Sequence, residues 1–266
     1  MRNRLLWLGA VGTMLTGCAT TSTFGLARTL NKGAVQGWVA PSGGAFIVTA
    51  PRVAVQGYPL VEGGFRAGLT DNIELGARLG FGGIAVESKF GLIRSPTMDS
   101  GFNLSLNPQV QFVGSPVPAT ATTAAGGFVG ALSLHLPVLF GIDFKGHELI
   151  FGPRVIDQIL FGSGTGTAAV VNLVYFGGTI GFAIRIAPGF RILPEVSVSA
   201  PVIGSAGGNT NAAFGAIIFQ AGVGFLFGSA HQYEPKASPP ARPEPLPAEE
   251  FTPPPMPPAE QSPPPV

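Results

Sequence analysis

The chain has 266 residues, of which 45% are apolar and only 11% are charged. Soluble domains carry about 25% charged residues, so this composition makes an ordinary water-facing surface difficult to build. Fifteen Lys and Arg residues nearly balance fourteen Asp and Glu residues, and no basic run could follow a phosphate backbone, which disfavours nucleic-acid binding. The single cysteine excludes an intrachain disulfide, a cysteine-based zinc site and a redox pair. The sequence predicts neither a metal nor a cofactor.

The first residues have the pattern of a secretion signal. Arg2 and Arg4 form a basic start, residues 5–15 are an apolar stretch of signal-peptide length, and small residues follow. The residues Leu-Thr-Gly-Cys at 15–18 resemble the lipobox of bacterial lipoproteins. This resemblance implies that residues 1–17 are removed as a signal peptide and that the Cys18 thiol carries a diacylglycerol anchor. The alternative is a plain secretory signal in which the cysteine occurs by chance.

In that family the residue after the cysteine determines which of the two membranes the lipoprotein is delivered to. An Asp there favours retention in the inner membrane, whereas this chain has Ala19. The resemblance therefore implies transport by the lipoprotein-sorting machinery to outer-membrane lipid, with the anchor on the periplasmic side.

Composition divides the mature chain into three regions. Residues 18–31 are a Thr- and Ser-rich lipidated tether, residues 32–228 are the body, and residues 229–266 are a tail with fourteen prolines. So many prolines prevent a helix or a sheet, so the tail is expected to be extended or disordered. We expect it to act as a spacer or to contact a periplasmic partner.

Apolar and polar residues alternate along the body with a period of two. In residues 101–113, five apolar side chains alternate with Asn103, Ser105, Asn107, Gln109 and Gln111. Residues 72–81 repeat the pattern, with Leu75 and Leu79 opposed to Glu74 and Arg78. Alternation over this length predicts tilted membrane-crossing strands with one face in lipid and the other in water.

Ten such segments, separated by turn-forming residues, lie between residues 33 and 227. We therefore predict an all-β fold, a closed antiparallel up-and-down transmembrane β-barrel of about ten strands. Residues 168–187 and 213–230 are also long and apolar enough to cross a bilayer as helices. Gly177, Gly178, Arg185, Gln220 and the β-branched residues of these segments argue against helices.

The last predicted strand carries a second resemblance. Its polar, glycine and aromatic positions are Gln220, Gly222, Phe225 and Phe227. Their spacing resembles the C-terminal β-signal that the bacterial barrel-assembly machinery recognises, which implies that this machinery is a partner. The chain departs from the family pattern because it continues for nearly forty residues beyond the aromatic position.

The polar faces of the strands carry charges of both signs. We predict that these charges point into the lumen and that those on adjacent strands form an ion-pair ladder. The predicted lumenal charges are Glu62, Arg66, Glu74, Arg78, Glu87, Lys89, Arg185, Arg191 and Glu195. A lumen of ten strands lies between a filled interior and an open channel, and its size favours a mostly filled lumen over a narrow pore for small solutes. If the lumen conducts, Glu74→Gln or Arg78→Gln should alter its ion selectivity.

Two other classes of protein remain open. A lipid-tethered periplasmic β-sandwich would show the same alternation, although its outer faces should carry more charge than this body does. A barrel-rim enzyme acting on lipid could use His147 with Asp143, but no recognisable catalytic motif is present. We predict no enzymatic activity and a lipid-anchored outer-membrane barrel. Its N- and C-termini should be periplasmic, since the strand number is even.

Overall fold

The computed structural model of the chain describes residues 20–48, 53–117, 127–164, 167–206, 209–210 and 216–228. Cys18, the signal peptide and the Pro-rich tail lie outside these residues. The described strands are β1 Val35–Val48, β2 Ala54–Thr70, β3 Ile73–Gly80, β4 Gly83–Ile93, β5 Ser100–Leu106, β6 Gln109–Val117, β7 Gly127–Phe144, β8 His147–Gly164, β9 Thr167–Ala187, β10 Phe190–Ala206, β11 Asn209–Thr210 and β12 Ile217–Gly228.

The strands close into a single antiparallel barrel. Strand β12 pairs with β10 on one side and with β1 on the other, from Ile217 opposite Ile47 to Gly228 opposite Gln36. Strands β5 and β6 together fill one position between β4 and β7, and β11 pairs only with the end of β10. The wall therefore has ten strand positions, as predicted. Because all the described strands belong to one closed sheet, the sandwich alternative is wrong.

The predicted strand over residues 101–113 is divided at Asn107 and Pro108. Proline has no backbone N–H and cannot donate to a ladder. The ladder nevertheless continues, because the Pro108 carbonyl accepts a hydrogen bond from the Ser88 N–H at 3.0 Å and the Asn107 N–H donates to the Pro137 carbonyl at 3.0 Å. The interruption leaves the register with the neighbouring strands unchanged.

The two segments that could have crossed a membrane as helices are strands β9 and β12 where the structure describes them. No helix among the described residues has the length and apolar character needed to span a bilayer.

The two ends of the barrel differ. The rim that holds the start of β1 and the end of β12 also holds the tight turns between β2 and β3, β7 and β8, and β9 and β10; we call it the terminal rim. The opposite rim is uneven, because β3 has 8 residues whereas β9 has 21. The lowest point of the wall on that side is the turn between β3 and β4.

The two faces of the wall separate apolar from polar side chains. Outward residues such as Phe65 and Leu79 are 58% and 66% exposed, whereas the inward Asn103, Ser105 and Gln109 are buried. This confirms the alternation read from the sequence. The barrel has an apolar exterior and a polar interior.

Candidate functional site

The lumen is occupied by the chain itself. Residues 20–30, which we call the lumenal segment, run from the terminal rim into the barrel, and all eleven are buried. These residues belong to the region 18–31, which composition predicts to be a tether, and the structure places them inside the barrel. Asn31 and Lys32 are exposed at the terminal rim, where the chain turns into β1.

Carboxylates of the wall bind the backbone of the lumenal segment. Glu74, Glu148 and Glu195 lie on three different strands and are buried. The hydrogen bonds run from Leu30 N to Glu74 (3.0 Å), from Ala27 N and Arg28 N to Glu148 (2.9 and 3.1 Å), and from Thr23 N and Phe24 N to Glu195 (2.7 and 2.9 Å). Buried N–H groups need partners, and these carboxylates replace the neighbouring strand that the segment lacks.

Arginines of the wall bind the carbonyl groups of the same segment. Arg66 donates to the carbonyls of Thr23 at 2.8 Å and Phe24 at 2.9 Å, and Arg78 donates to the carbonyl of Ser22 at 3.0 Å. Donors and acceptors of the wall therefore match acceptors and donors of one backbone. Hydrogen bonds with a charged partner are about twice as strong as neutral ones.

Four of the predicted lumenal charges form a connected ion-pair cluster. Arg66 contacts Glu87 at 2.6 Å and Glu74 at 3.7 Å, and Lys89 contacts Glu74 at 2.8 Å. Gly76 lies between Arg66 and Glu87 in the register of the sheet. A Cβ at this glycine would lie 2.8 Å from a Glu87 carboxylate oxygen, so the absence of a side chain lets the two charges meet.

The inner end of the lumenal segment is held by uncharged polar groups and one carboxylate. The Gln220 side-chain oxygen accepts the Thr21 N–H at 2.7 Å, and the Thr21 and Ser197 hydroxyl oxygens are 2.6 Å apart. The Thr20 hydroxyl donates to Glu62 at 2.9 Å. Glu62 therefore binds the segment at its innermost described residue.

Apolar side chains of the segment pack at the centre of the lumen. Phe24 and Leu26 belong to a buried cluster with Trp38, Ala40, Ile150, Ala183, Leu193 and Leu226. Phe24 has a φ of 41°, which is uncommon for a bulky residue and persists only where the surroundings fix the backbone. Gly222 makes room for it, since a Cβ there would lie 2.9 Å from the Phe24 ring.

A second apolar cluster lies in the lumen toward the opposite rim, on strands β8, β9 and β12. It consists of Ile156, Leu173, Tyr175 and Ile218, with Phe46 packed against it.

The buried charges of the described residues are balanced by sign, with six cations and six carboxylates. They are Arg28, Arg66, Arg78, Lys89, Arg154 and Arg191, and Glu62, Glu74, Glu87, Asp143, Glu148 and Glu195.

Two predicted charges lie near the terminal rim. Arg191 is buried and contacts the Met98 sulfur at 3.2 Å. Arg185 is half-buried and lies opposite Arg191 in the register of β9 and β10. The inward Asp143 and Glu148, which also lie opposite each other near this rim, were not among the predicted lumenal charges. Both residues occupy inward positions in the period-two alternation of their strands, and this was the sequence feature that could have revealed them.

The predicted assembly signal occupies both faces of the closing strand. Gln220 and Gly222 face the lumen, Phe225 is half-buried, and Phe227 faces outward with 49% of its surface exposed. The contact of Gln220 with the lumenal segment gives this residue a role that the sequence pattern did not indicate.

The catalytic pair considered from the sequence is not assembled. Asp143 faces the lumen and accepts a hydrogen bond from the Asn103 side chain at 2.7 Å. His147 lies on the outer face, with its ring 5.8 Å from Phe144 and 6.1 Å from Phe182. The wall of the barrel therefore separates the two side chains.

The lumenal segment leaves the barrel beside the turn between β2 and β3. Asp71 in this turn accepts a hydrogen bond from the Lys32 N–H at 3.0 Å, and Arg94 lies 3.5 Å away. The Lys32 N–H, with help from Arg94, lowers the pKa of the Asp71 carboxyl below its ordinary value. The same turn accepts a hydrogen bond from the Thr29 hydroxyl at the Asp71 carbonyl.

Comparison with known proteins gives structural similarity only. No family model and no curated protein matches the chain. The structure is similar to the outer membrane protease OmpT from Escherichia coli, with 7% identity over 75% of this chain and 98% of the other and a TM-score of 0.44. It is also similar to the translocator domain of the autotransporter NalP from Neisseria meningitidis, with 12% identity over 85% and 94% and a TM-score of 0.39.

A third similar structure is Ail, the attachment invasion locus protein of Yersinia pestis, with 7% identity over 74% of this chain and 99% of the other and a TM-score of 0.38. At these identities the likeness extends to no substrate, activity or partner. The fold and lumen define a closed ten-stranded β-barrel with an apolar exterior whose interior is filled by its own N-terminal segment.

Proposed function

We propose that this protein is a lipid-anchored β-barrel of the bacterial outer membrane, closed by its lumenal segment, with a structural role. The observation that carries the proposal is the set of hydrogen bonds between inward charges and the backbone of residues 20–30. Charges that bind a backbone in this way are not free to select solutes. A closed barrel is therefore favoured over the alternative of a narrow pore.

The exterior of the barrel supports a membrane location. Large apolar side chains point outward from strands all around the wall, as Leu75, Val86, Ile180 and Val198 do. Soluble proteins rarely expose contiguous apolar patches above a few hundred Å². Closed antiparallel barrels with this division of faces are the form that crosses the outer membrane of bacteria.

The lipobox and β-signal resemblances support the proposed route to that membrane. They imply handling by the lipoprotein-sorting machinery through Cys18 and by the barrel-assembly machinery through the last strand. The tail of residues 229–266 follows Gly228 at the terminal rim, where the turns are short. Short turns are typical of the periplasmic rim of such barrels, so we place the tail and its proposed partner in the periplasm.

Planar-bilayer recordings test whether the lumen is closed. The purified full chain should give no stable conductance steps, whereas a variant that lacks residues 20–30 and retains Cys18 should give them. Glu74→Gln in that deletion variant should then change the ion selectivity, because Glu74 would face water. Equal conductance of the two proteins would contradict a closed lumen and favour the narrow pore.

Palmitate labelling and electrophoresis test the anchor and the barrel separately. The full chain should incorporate radioactive palmitate, and Cys18→Ala should abolish incorporation. Both forms should migrate as folded barrels in unboiled samples, because the lipid is outside the hydrogen-bonded wall. A Cys18→Ala protein that is soluble in the periplasm and folded would contradict the membrane location.

A further inference from the structure

We infer that the lipid anchor lies at the rim opposite to the C-terminal end of the barrel, because the chain passes through the lumen before β1 begins. This inference rests on the proposed lipidation of Cys18. It departs from the sequence-based expectation that both termini lie on the periplasmic side. The anchor would instead be on the cell surface, with the tail in the periplasm.

Thr20, the first described residue, lies deep in the barrel, far from the terminal rim. Thr20 donates to Glu62, which lies eight residues before the end of β2 at Thr70, and to Gln220, eight residues before the end of β12 at Gly228. Eight residues of strand at about 3.4 Å each, tilted by about 40°, correspond to about 20 Å along the barrel axis. The apolar band of such a barrel is about 25 Å tall. Thr20 has therefore crossed most of the membrane from the terminal rim.

The short length of chain between Cys18 and Thr20 limits how far the anchor can be from Thr20. Cys18 precedes Thr20 by two residues, and consecutive Cα atoms are about 3.8 Å apart, so the two Cα atoms are separated by at most about 8 Å. This distance cannot return the anchor to the terminal rim. The wall is hydrogen-bonded around its whole circumference. Acyl chains on Cys18 can therefore enter lipid only over the opposite rim.

The shape of that rim provides a route for the lipid. Glu62, which binds Thr20, pairs with Gly80, the last residue of β3, and with 8 residues β3 is the shortest of the ten strand positions in the wall. The turn that follows is the lowest point of the opposite rim. The side chains around it are apolar and exposed, with Phe81 at 71% and Ile84 at 58%. A lipid emerging beside Thr20 would meet an apolar edge there, with only a short wall to cross.

A cysteine pair tests the threading in lipidated molecules. Thr21→Cys and Ser197→Cys replace two buried hydroxyl groups whose oxygens are 2.6 Å apart. The only natural cysteine is Cys18, whose thiol would be acylated, so no third thiol competes. The matched control is Thr21→Cys with Ser105→Cys, because Ser105 is equally buried but lies on β5, four strand positions from β10.

Outer membranes from cells grown with radioactive palmitate would be analysed on non-reducing denaturing gels. We expect palmitate-labelled molecules of the first pair to show a disulfide-dependent shift and the control pair to show none. The inference would be overturned if the Cys18→Ala form shows the shift but the palmitate-labelled molecules do not. The segment would then enter the lumen only in molecules that carry no lipid. Absence of the shift in both forms would also overturn it.

Failure of the proposed lipidation gives a different result. The parent protein would then incorporate no palmitate while the cross-link forms in the Cys18→Ala form, and the inference about the anchor would fall while the lumenal segment remained. Unboiled mobility shows whether each variant has folded. If the first pair does not fold, Ser22→Cys with Ser197→Cys provides a second pair, with hydroxyl oxygens 3.3 Å apart.

Labelling of intact cells with a membrane-impermeant maleimide tests the leaflet. Val53→Cys lies in the connection between β1 and β2 at the opposite rim, and Lys145→Cys lies in the turn between β7 and β8 at the terminal rim. We expect Val53→Cys to react in intact cells and Lys145→Cys only after lysis. The reverse pattern would overturn the placement of the anchor on the cell surface.

Discussion

Removal of the Glu195 carboxylate should weaken the hold of the wall on the lumenal segment. Glu195 accepts the N–H groups of Thr23 at 2.7 Å and Phe24 at 2.9 Å. Hydrogen bonds to a charged group contribute about 1.5–3 kcal/mol each. Using the lower end of that range, Glu195→Ala costs about 3 kcal/mol of segment binding, which corresponds to about a hundredfold in the opening equilibrium.

The opening can be measured by the rate at which a buried thiol reacts. In a Cys18→Ala background, Ser22→Cys places a single thiol where the hydroxyl is buried. When opening and closing are fast, the reaction rate with a bulky maleimide is proportional to the open population. Glu195→Ala should raise that rate about a hundredfold, and Glu195→Gln by about tenfold because one uncharged acceptor remains.

Gln111→Ala is the matched control for a lost polar group in the lumen. Gln111 is buried and donates to the carbonyl of Gly82, not to the segment. Its rate should equal that of the parent protein. A Glu195→Ala rate within threefold of the parent would refute the conclusion that Glu195 holds the segment.

Three further changes address the lumen and its exit. Gly76→Ala should lower the free energy of unfolding of the barrel by about 1–3 kcal/mol, seen as a lower melting temperature in unboiled electrophoresis, because the new Cβ would lie 2.8 Å from a Glu87 oxygen and 2.9 Å from the backbone oxygen of Phe65. Gly222→Ala should raise the rate of thiol reaction in the lumenal segment, since its Cβ would lie 2.9 Å from the Phe24 ring and closer still to the Ser42 Cβ on β1, so neither neighbour could make room for it alone. The ionised Asp71 carboxylate contributes stability that is lost when it is protonated at acid pH, and Asp71→Asn should remove this pH dependence. This stability is present above the ordinary carboxyl pKa of about 3.9 and is lost as the pH falls through the lower folded value.

Each of these changes has its own check. Gly162→Ala is the control for Gly76→Ala, because its Cβ would make only an ordinary contact at 3.7 Å and should leave the stability unchanged. Gly224→Ala approaches Phe24 at 3.2 Å and should have a smaller effect than Gly222→Ala; equal rates for the two would contradict the steric reason. A carboxyl NMR titration of Asp71 at or above its ordinary pKa would contradict the third prediction.

The wall of the barrel was predictable because the face on which each side chain lies depends only on its position along its own strand. Period-two alternation assigns each side chain to a face, and the inward placement of Glu74 and Arg78 follows from their phase relative to Leu75 and Leu79. The break at Pro108 was not predicted. The hydrogen bonds of the Pro108 carbonyl and the Asn107 N–H continue the ladder there, so the alternating pattern of the sequence shows no interruption.

The content of the lumen was not predictable in the same way. Residues 20–30 have no period that would distinguish a free tether from a buried one, since their partners lie up to 200 residues away, as Gln220 does from Thr20. The inward charges were identified as partners of one another. The structure shows that Arg66 and Glu74 contact both a charged neighbour and the segment backbone, which no pairwise rule for ion pairs indicates.

The position of Gln220 connects closure of the barrel with occupation of its lumen. Gln220 lies on β12, the strand whose pairing with β1 closes the wall, and its side chain accepts the Thr21 N–H. A chain already carrying acyl groups on Cys18 could not pass them through a lumen filled by two apolar clusters. If Cys18 is acylated as proposed, we expect the wall to close around a segment that is already inside. The inward face of this strand contacts the segment through Gln220, whereas Phe225 and Phe227 lie on its other side, so the two predicted roles of the strand use opposite faces.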